Sequence, residues 1–443
     1  MKRLIENVDK NRELVLAALD YVWKNPETGY REFKTSKYLE DRFEELGYDI
    51  VRAGDIPGFY TVLDTGKPGP EILIMGELDA LKCVEHPERD PETDAVHCCG
   101  HAAQCAALLG VAAALKEKGA LDGLSGRIRL CAVPAEELIE IEYRKELRDK
   151  GIIKYFGGKP EFMRRGYFDG VDIAFMIHTT SGTRFNVNIG GVGCIAKQIT
   201  YKGVSAHAGG SPWNGVNALY AATQGLNAAN ALRETFKEPD IIRFHPIITQ
   251  GGTAVNAIPD TVKIESYVRG ISFDAIKDAN RRINQALAGA ALSINANVDI
   301  CDMPGYAPYK NCPNMIKVFK EACFAGIGEE AGESGVVSSG STDMGDISCV
   351  MPMVHPYAPG AIGRSHGADY MIADPQRACV DSAKVQLAMI HILLSDNASR
   401  ACQIKADFKP MFSSIKEYLQ YLDDINDSGD RITYCDGNAS VRI

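Results

Sequence analysis

Five short segments carry thiol, imidazole or carboxylate groups where apolar runs end or helices begin. Gly76-Glu77-Leu78-Asp79 follows the run 71–75, and Pro134-Ala135-Glu136-Glu137 follows 128–133. His178 closes 171–177, and a Gly-rich loop after 349–354 leads to Ser365-His366. His97-Cys98-Cys99-Gly100-His101 stands just before an apolar stretch, 102–118. These are the donor types that hold divalent metals. Hydrolysis at such a centre needs ligands that leave a position open for water, plus one non-ligating carboxylate to take a proton. The adjacent pair Glu136-Glu137 supplies both kinds of carboxylate, and the number of donors suffices for two ions.

Each segment also has a plainer reading. Taken alone, Glu136-Glu137 reads more readily as a solvated pair opening a helix, and His178 as a core histidine. The Cys pair lacks C-x-x-C spacing, so a zinc ribbon or a thioredoxin-type motif is excluded, and core cysteines in a turn would explain it. What sets the metal reading ahead is convergence. The runs 60–63, 71–75, 128–133, 171–177 and, more weakly, 349–354 are short and β-rich, and 102–118 is apolar almost all round. Strands alternating with helices predict a mainly parallel sheet covered on both faces, whose ligands collect beyond the carboxyl ends of its strands. Carboxylate, thiol and imidazole groups thus recur at one sheet edge.

Helices are expected over 4–22, 32–46 and 376–395. From 191 to 300 the order changes to β-α-β-β-α-β: strand 192–201, helix 213–233, strands 241–249 and 262–269, helix 272–292, strand 296–300. That is the order of a ferredoxin-like α+β unit inserted into the α/β domain. The expected division is 1–188 and 308–400 for the catalytic domain, 189–307 for the insertion, and 401–443 for a C-terminal extension with one helix, 411–424.

Composition narrows the function. A net charge of −10 with both signs mixed along the chain argues against nucleic-acid tracking and against an electrostatic membrane anchor. The run 105–115 is about half of what a bilayer span needs. Thirteen cysteines without framework spacing suit reduced thiols in a cytoplasm.

The motifs together resemble peptidase family M20, in its M20D amidohydrolase branch. They are Gly-Glu-Leu-Asp-Ala-Leu (76–81), His-Cys-Cys-Gly-His (97–101), Pro-Ala-Glu-Glu (134–137), Ile-His (177–178), Val-Ser-Ala-His-Ala-Gly (204–209), Gly-Gly-Thr-Ala-Val-Asn-Ala-Ile-Pro-Asp (251–260), Tyr-Val-Arg (267–269) and Gly-Ser-Thr-Asp-Met-Gly-Asp (340–346). The last block and the stretch 140–172 look most like aminobenzoyl-glutamate hydrolase and β-alanyl-lysine dipeptidase. The resemblance implies two divalent ions on Cys99, His101, Glu137, His178 and His366, with Zn²⁺ favoured by the thiolate and Mn²⁺ the alternative. It makes Glu136 the general base that deprotonates a metal-activated water, and Asp79 an orienting carboxylate. It implies that the insertion is a lid and dimerisation domain, giving a homodimer. There His207 polarises the scissile carbonyl, in its own chain or across the dimer, and Asn256 and Arg269 hold a small dipeptide-like or N-acyl amino acid substrate. Asp343 and Asp346 lie in a Ser/Gly-rich loop and read either as surface turn formers or, near the ligand His366, as pocket-lining residues, with Asp343 expected to touch substrate. One departure stands out: the usual His-x-Asp is Glu77-Leu78-Asp79 here, so a first His ligand is missing. Two other readings compete: a thiol hydrolase using Cys99 and His101, and a non-catalytic metal-binding protein on the same fold.

Overall fold

The computed structural model describes residues 1–443, and the chain divides into two compact units. The first holds Met1–Gly190, Tyr309–Ser338 and Thr342–Ile415; the second holds Gly191–Pro308, Ser339–Ser341 and Lys416–Ile443. The expected extension is therefore not one block. Its first part continues the first unit, and residues from 416 onward belong to the insertion.

The first unit is built on a six-stranded sheet in the order Val51–Arg52, Phe59–Asp64, Arg127–Val133, Glu71–Glu77, Ile173–Phe175, Met353–Val354. The last four are mutually parallel, while the two strands at the near edge run antiparallel. Glu71–Glu77 is buried along its whole length, as a central strand covered on both faces must be. The helix His101–Lys116, buried from His101 to Leu115, packs on this strand and on the helix Arg12–Lys24. Its small residues permit that approach: a Cβ on Gly110 would come within 2.8 Å of Val15. Each fully buried leucine of this core contributes roughly 1.5–3 kcal/mol, and Leu108 and Leu109 are among them.

Three expectations are corrected. The helix expected over 4–22 is two helices, Lys2–Lys10 and Arg12–Lys24, because the backbone leaves helical geometry at Asn11. The strand expected over 349–354 shrinks to Met353–Val354, since Met344–Ser348 forms a short helix. The C-terminal helix runs from Ser382 to Asp407 with a break at Ser395–Ala398, where three residues have positive φ. With the turn preceding it, this is long and apolar enough to cross a membrane, but it is mostly buried as a core helix.

The second unit carries an antiparallel sheet from Gly193–Lys202, Arg243–Phe244 with Ile247–Gln250, Thr261–Gly270, and Asn297–Pro304. Numbered along the chain, their spatial order is 2-3-1-4, the ferredoxin-like arrangement. Helices Ala218–Ala231 and Phe273–Leu292 cover it, capped by Asn217 and Ser272. The first begins later than the expected 213, after a separate turn at Pro212–Asn214. Residues 427–430 lie along the outer strand through the bridges Asp299–Asp430 and Asp302–Asp427. Buried Arg431 fixes them, donating to Asp427 (2.6 Å) and to the Ile300 carbonyl (2.8 Å). The opposite edge, Ile247–Gln250, is fully exposed.

Candidate metal centre and active site

The first unit brings Cys99, His101, Glu136, Glu137, His178 and His366 together. Two ligand triads emerge, Cys99–His101–His178 and Cys99–Glu137–His366, each with donor atoms within 4.8 Å of one another. Cys99 belongs to both. Its Sγ lies 3.5 Å from His178 Nε2, and His366 Nε2 lies 3.1 Å from Glu137 Oε1.

The turn before the buried helix aims Cys99 and His101. Gly100 sits at φ 95°, and a Cβ there would collide with the Tyr370 hydroxyl, so only glycine fits. His101 Nδ1 lies 2.8 Å from the Asp79 carbonyl oxygen, which can only accept. That bond assigns the proton to Nδ1 and leaves Nε2 as the donor atom toward a metal. His178 is fixed the same way, Nδ1 to the Thr179 carbonyl at 2.8 Å. Asp79, wholly buried, also accepts the Glu137 backbone N–H at 2.8 Å, so it orients both a histidine and the acidic pair.

The acidic pair is held in strained backbone. Ala135 has φ 57° and Glu140 φ 54°, rare for residues with a Cβ. Buried Arg144 braces this turn by donating to the carbonyls of Ala135, Glu137 and Phe156, while Glu32 accepts the Ala135 N–H at 2.7 Å. His366 also has a positive φ, 63°, with its N–H bonded to the Cys98 carbonyl.

The electrostatics follow from crowding. Burial and Glu137 raise the Cys99 thiol, but His101 and His178 outweigh them and bring it to about 6, so it is a thiolate at neutral pH. Burial likewise raises Glu137, and His366 pulls it down to about 2. Glu136 is pushed well above the carboxylate range, by burial first and then by the charges of Glu77, Glu137 and Asp343. Buried His101 Nε2 has no hydrogen-bond partner, and Glu137 Oε1 has only His366 Nε2 beside it, at 3.1 Å. Unsatisfied donors beside surplus negative charge fit a pair of divalent cations. His97 and His355 are also buried but stay neutral, burial lowering both to about 3, and neither joins a triad.

In the second unit His207 Nδ1 accepts the N–H groups of Gly209 (3.1 Å) and Gly210 (2.9 Å), so its proton sits on Nε2. The loop bearing Asn256 lies beside it, through the bridge His207–Ala257 and the bond from Ala208 N–H to the Asn256 carbonyl. Arg269 donates to Ser341 Oγ at 2.8 Å and lies over the Tyr267 ring; it pairs with neither Asp260 nor Glu265.

One expectation fails. Asp343 does not line a pocket: it is fully buried and both of its oxygens are engaged by Lys159, one by the backbone N–H at 3.0 Å and the other by Nζ. Sequence reading also missed Lys159, Arg144, Glu32 and Gln104. The usable signal for Lys159 was Gly157-Gly158 before it: a Cβ on Gly158 would strike the Pro134 carbonyl, so the glycines let this turn press onto the site.

Comparison with known proteins agrees with this geometry. The model of the peptidase family M20/M25/M40 matches residues 73–391, and the chain belongs to that family. It is a metal-dependent hydrolase of amide bonds. It is 26% identical to the Xaa-Arg dipeptidase of Mus musculus over 432 residues, 92% of this chain and 89% of that one. It is 27% identical over 302 residues to a p-aminobenzoyl-glutamate hydrolase polypeptide of Escherichia coli, 66% of this chain and 58% of that one. Two solved structures share the fold. An aminobenzoyl-glutamate utilization protein from Klebsiella pneumoniae matches with a TM-score of 0.65 at 20% identity, covering 87% of this chain and 98% of that one. A dinuclear metal-binding M20 peptidase from Bacillus subtilis matches with a TM-score of 0.63 at 19% identity, covering 87% and 99%.

Proposed function

We propose that this protein hydrolyses the amide bond of a small dipeptide-like or N-acyl amino acid substrate that ends in a free carboxylate. The observation that carries the reading is the pair of ligand triads sharing Cys99, with Glu136 on their rim, its Oε2 4.0 Å from His101 Nε2. Cys99, His101 and His178 would hold one ion, and Cys99, Glu137 and His366 the other; thiolate and imidazole favour Zn²⁺, with Mn²⁺ the alternative. When bound, such ions supply Lewis-acid polarisation and a water acidic enough to react near neutral pH. Glu136 takes the proton from the attacking water and returns it to the leaving amine. His207, with its proton on Nε2, is the donor to the scissile carbonyl oxygen, and Asn256 assists in holding the substrate. Thirteen free thiols support a cytoplasmic setting. Metal analysis together with a panel of dipeptides and N-acyl amino acids tests the reading; absence of bound metal, with activity indifferent to chelator, would overturn it.

Arg269 sets the preference for an acid. Its guanidinium can grip a carboxylate through two parallel hydrogen bonds, a geometry that lysine cannot copy. Hydrogen bonds to a charged group contribute about 1.5–3 kcal/mol. An amidated substrate should therefore fall by roughly 10- to 100-fold in kcat/KM against its matched acid. Arg269→Ala should erase that preference, and Arg269→Lys should restore it in part. A wild type that cleaves acid and amide alike would reduce Arg269 to its contact with Ser341.

The second unit should make a homodimer. One sheet edge is covered by residues 427–430, whereas Ile247–Gln250 offers unpaired backbone with exposed Ile247 and Ile248. Light scattering should give twice the chain mass, and Ile247→Lys with Ile248→Lys should give monomer. A wild type that stays monomeric and fully active removes any role for His207 across an interface.

A further inference from the structure

Three residues that carry a Cβ adopt left-handed backbone around one buried arginine. Tyr30, Ala135 and Glu140 have φ of 63°, 57° and 54°, a region that residues other than glycine rarely enter. Arg144, the fourth residue of the helix Ile141–Asp149, touches all three. Its backbone N–H donates to the Glu140 carbonyl at 3.1 Å, and its guanidinium carbon stands 5.5 Å from the centre of the Tyr30 ring. Its Nη1 donates to the Ala135 carbonyl at 3.4 Å. Such backbone persists only where its surroundings over-determine it.

The guanidinium is fully buried, and its hydrogen bonds go to the carbonyl oxygens of Ala135, Glu137 and Phe156. Its Nε has no partner. A buried cation whose bonds all go to neutral carbonyls costs stability, so strengthening the fold does not account for it. What singles it out is where two of those carbonyls lie. Nη1 holds the residue before Glu136, and Nη2 holds the residue after it. The matching N–H groups are tied by buried carboxyls, Ala135 to Glu32 Oε1 at 2.7 Å and Glu137 to Asp79 Oδ2 at 2.8 Å. Glycine makes the room, since a Cβ on Gly29 would strike Nη2.

Beyond this clamp the two carboxylates diverge. Glu136 Oε2 lies 4.0 Å from His101 Nε2, whereas Glu137 Oε1 lies 3.1 Å from His366 Nε2. A left-handed residue turns the chain that follows it, so a relaxed Ala135 would re-aim both side chains. We propose that Arg144 is a positioning residue: by holding Ala135 left-handed it decides which of the two adjacent carboxylates serves as base and which as ligand. It touches no reacting atom and acts only through the backbone on either side of Glu136. The inference rests on Glu136 being the base, as proposed above.

The test measures kcat, KM, Mn²⁺ affinity and melting temperature for Arg144→Met and Arg144→Lys, each alone and combined with Ala135→Gly. At saturating Mn²⁺, Arg144→Met should lose about 100-fold in kcat, the scale of a misplaced reacting group, with KM little changed. Its Mn²⁺ affinity should fall by roughly 10- to 100-fold, as for outer partners of a metal ligand. Arg144→Lys should recover only part, because an ammonium lacks the fork that reaches carbonyls on both sides of Glu136. Glycine enters left-handed backbone without the Cβ clash, so adding Ala135→Gly to Arg144→Met should return about tenfold in kcat. A purely structural arginine would instead lower the melting temperature and leave kcat per folded, metal-loaded chain at the wild-type value. That result overturns the proposal, and so does a loss of kcat that Ala135→Gly fails to relieve. If Arg144→Met does not fold, Arg144→Lys is judged by the same two results. If neither folds even with Ala135→Gly, Arg144 serves the fold and the proposal falls. Glu136→Gln, run alongside, separates the two readings: turnover retained there undoes the base itself, whereas turnover lost there but kept in Arg144→Met undoes the positioning alone.

Discussion

Glu136→Gln should keep both ions and lose turnover by on the order of a hundred- to ten-thousand-fold. The amide is nearly the same size as the carboxylate, so packing at this buried position survives, but it cannot accept a proton from water. Glu137→Gln should do the opposite. Glu137 is a member of the triad with Cys99 and His366, and it is the carboxylate that His366 holds ionised. Its loss should release the ion that this triad holds, and activity should return in part at high metal concentration. The pair of variants therefore separates two adjacent carboxylates by two different readouts, bound metal and turnover at saturating metal. The reverse pattern would exchange base and ligand between positions 136 and 137.

That these two residues could be picked out from sequence has a physical cause. They follow Arg127–Val133, which apart from its first residue is wholly buried, and a charged pair at the carboxyl end of such a strand has to face a cation or water. The same logic exposed Asp79 and His178. Cys99 and His101 were visible because Gly100 permits the left-handed turn that points both residues inward. Lys159 and Arg144 were not visible, because a lysine or arginine in a polar stretch normally lies in solvent. Only the packing of that stretch against the 134–137 turn reveals that both are buried. Asp343 failed for the related reason that its partner is Lys159.

The fold shows the same division. Apolar runs located the central strands of the first unit, since burial on both faces leaves a continuous signature, whereas Thr261–Gly270 of the second unit alternates buried with half-buried residues. The break at Asn11 went unseen because helical residues stand on both sides and hydrophobic spacing carries across a one-residue kink. In the extension the expected helix is present as Ile415–Asp423, whereas the polar end beyond it went unread, although Asp436-Gly437, between Ile432–Cys435 and Asn438–Val441, is a two-residue hairpin signal.

Cys99→Ala should lose both ions at once, because no other residue belongs to both triads. Activity should fall to background even at metal concentrations that rescue Glu137→Gln, which has lost a ligand to only one ion. A thiol hydrolase would also die on losing Cys99, so alanine alone does not discriminate. Cys99→Asp does. A carboxylate can reach two ions through its two oxygens, so that variant should regain two ions per chain and measurable, chelator-sensitive turnover. An aspartate cannot stand in for a thiolate that attacks a carbonyl and leaves again. Metal-replete but wholly inactive Cys99→Asp, together with wild-type activity that survives chelation and is abolished by thiol alkylation, would make Cys99 the nucleophile. The fixed histidine tautomers point the other way. His101 and His178 each spend Nδ1–H on a backbone carbonyl and turn Nε2 toward the Cys99 side of the site. A base serving one nucleophile needs a single such imidazole; two converging on a shared thiolate make ligands.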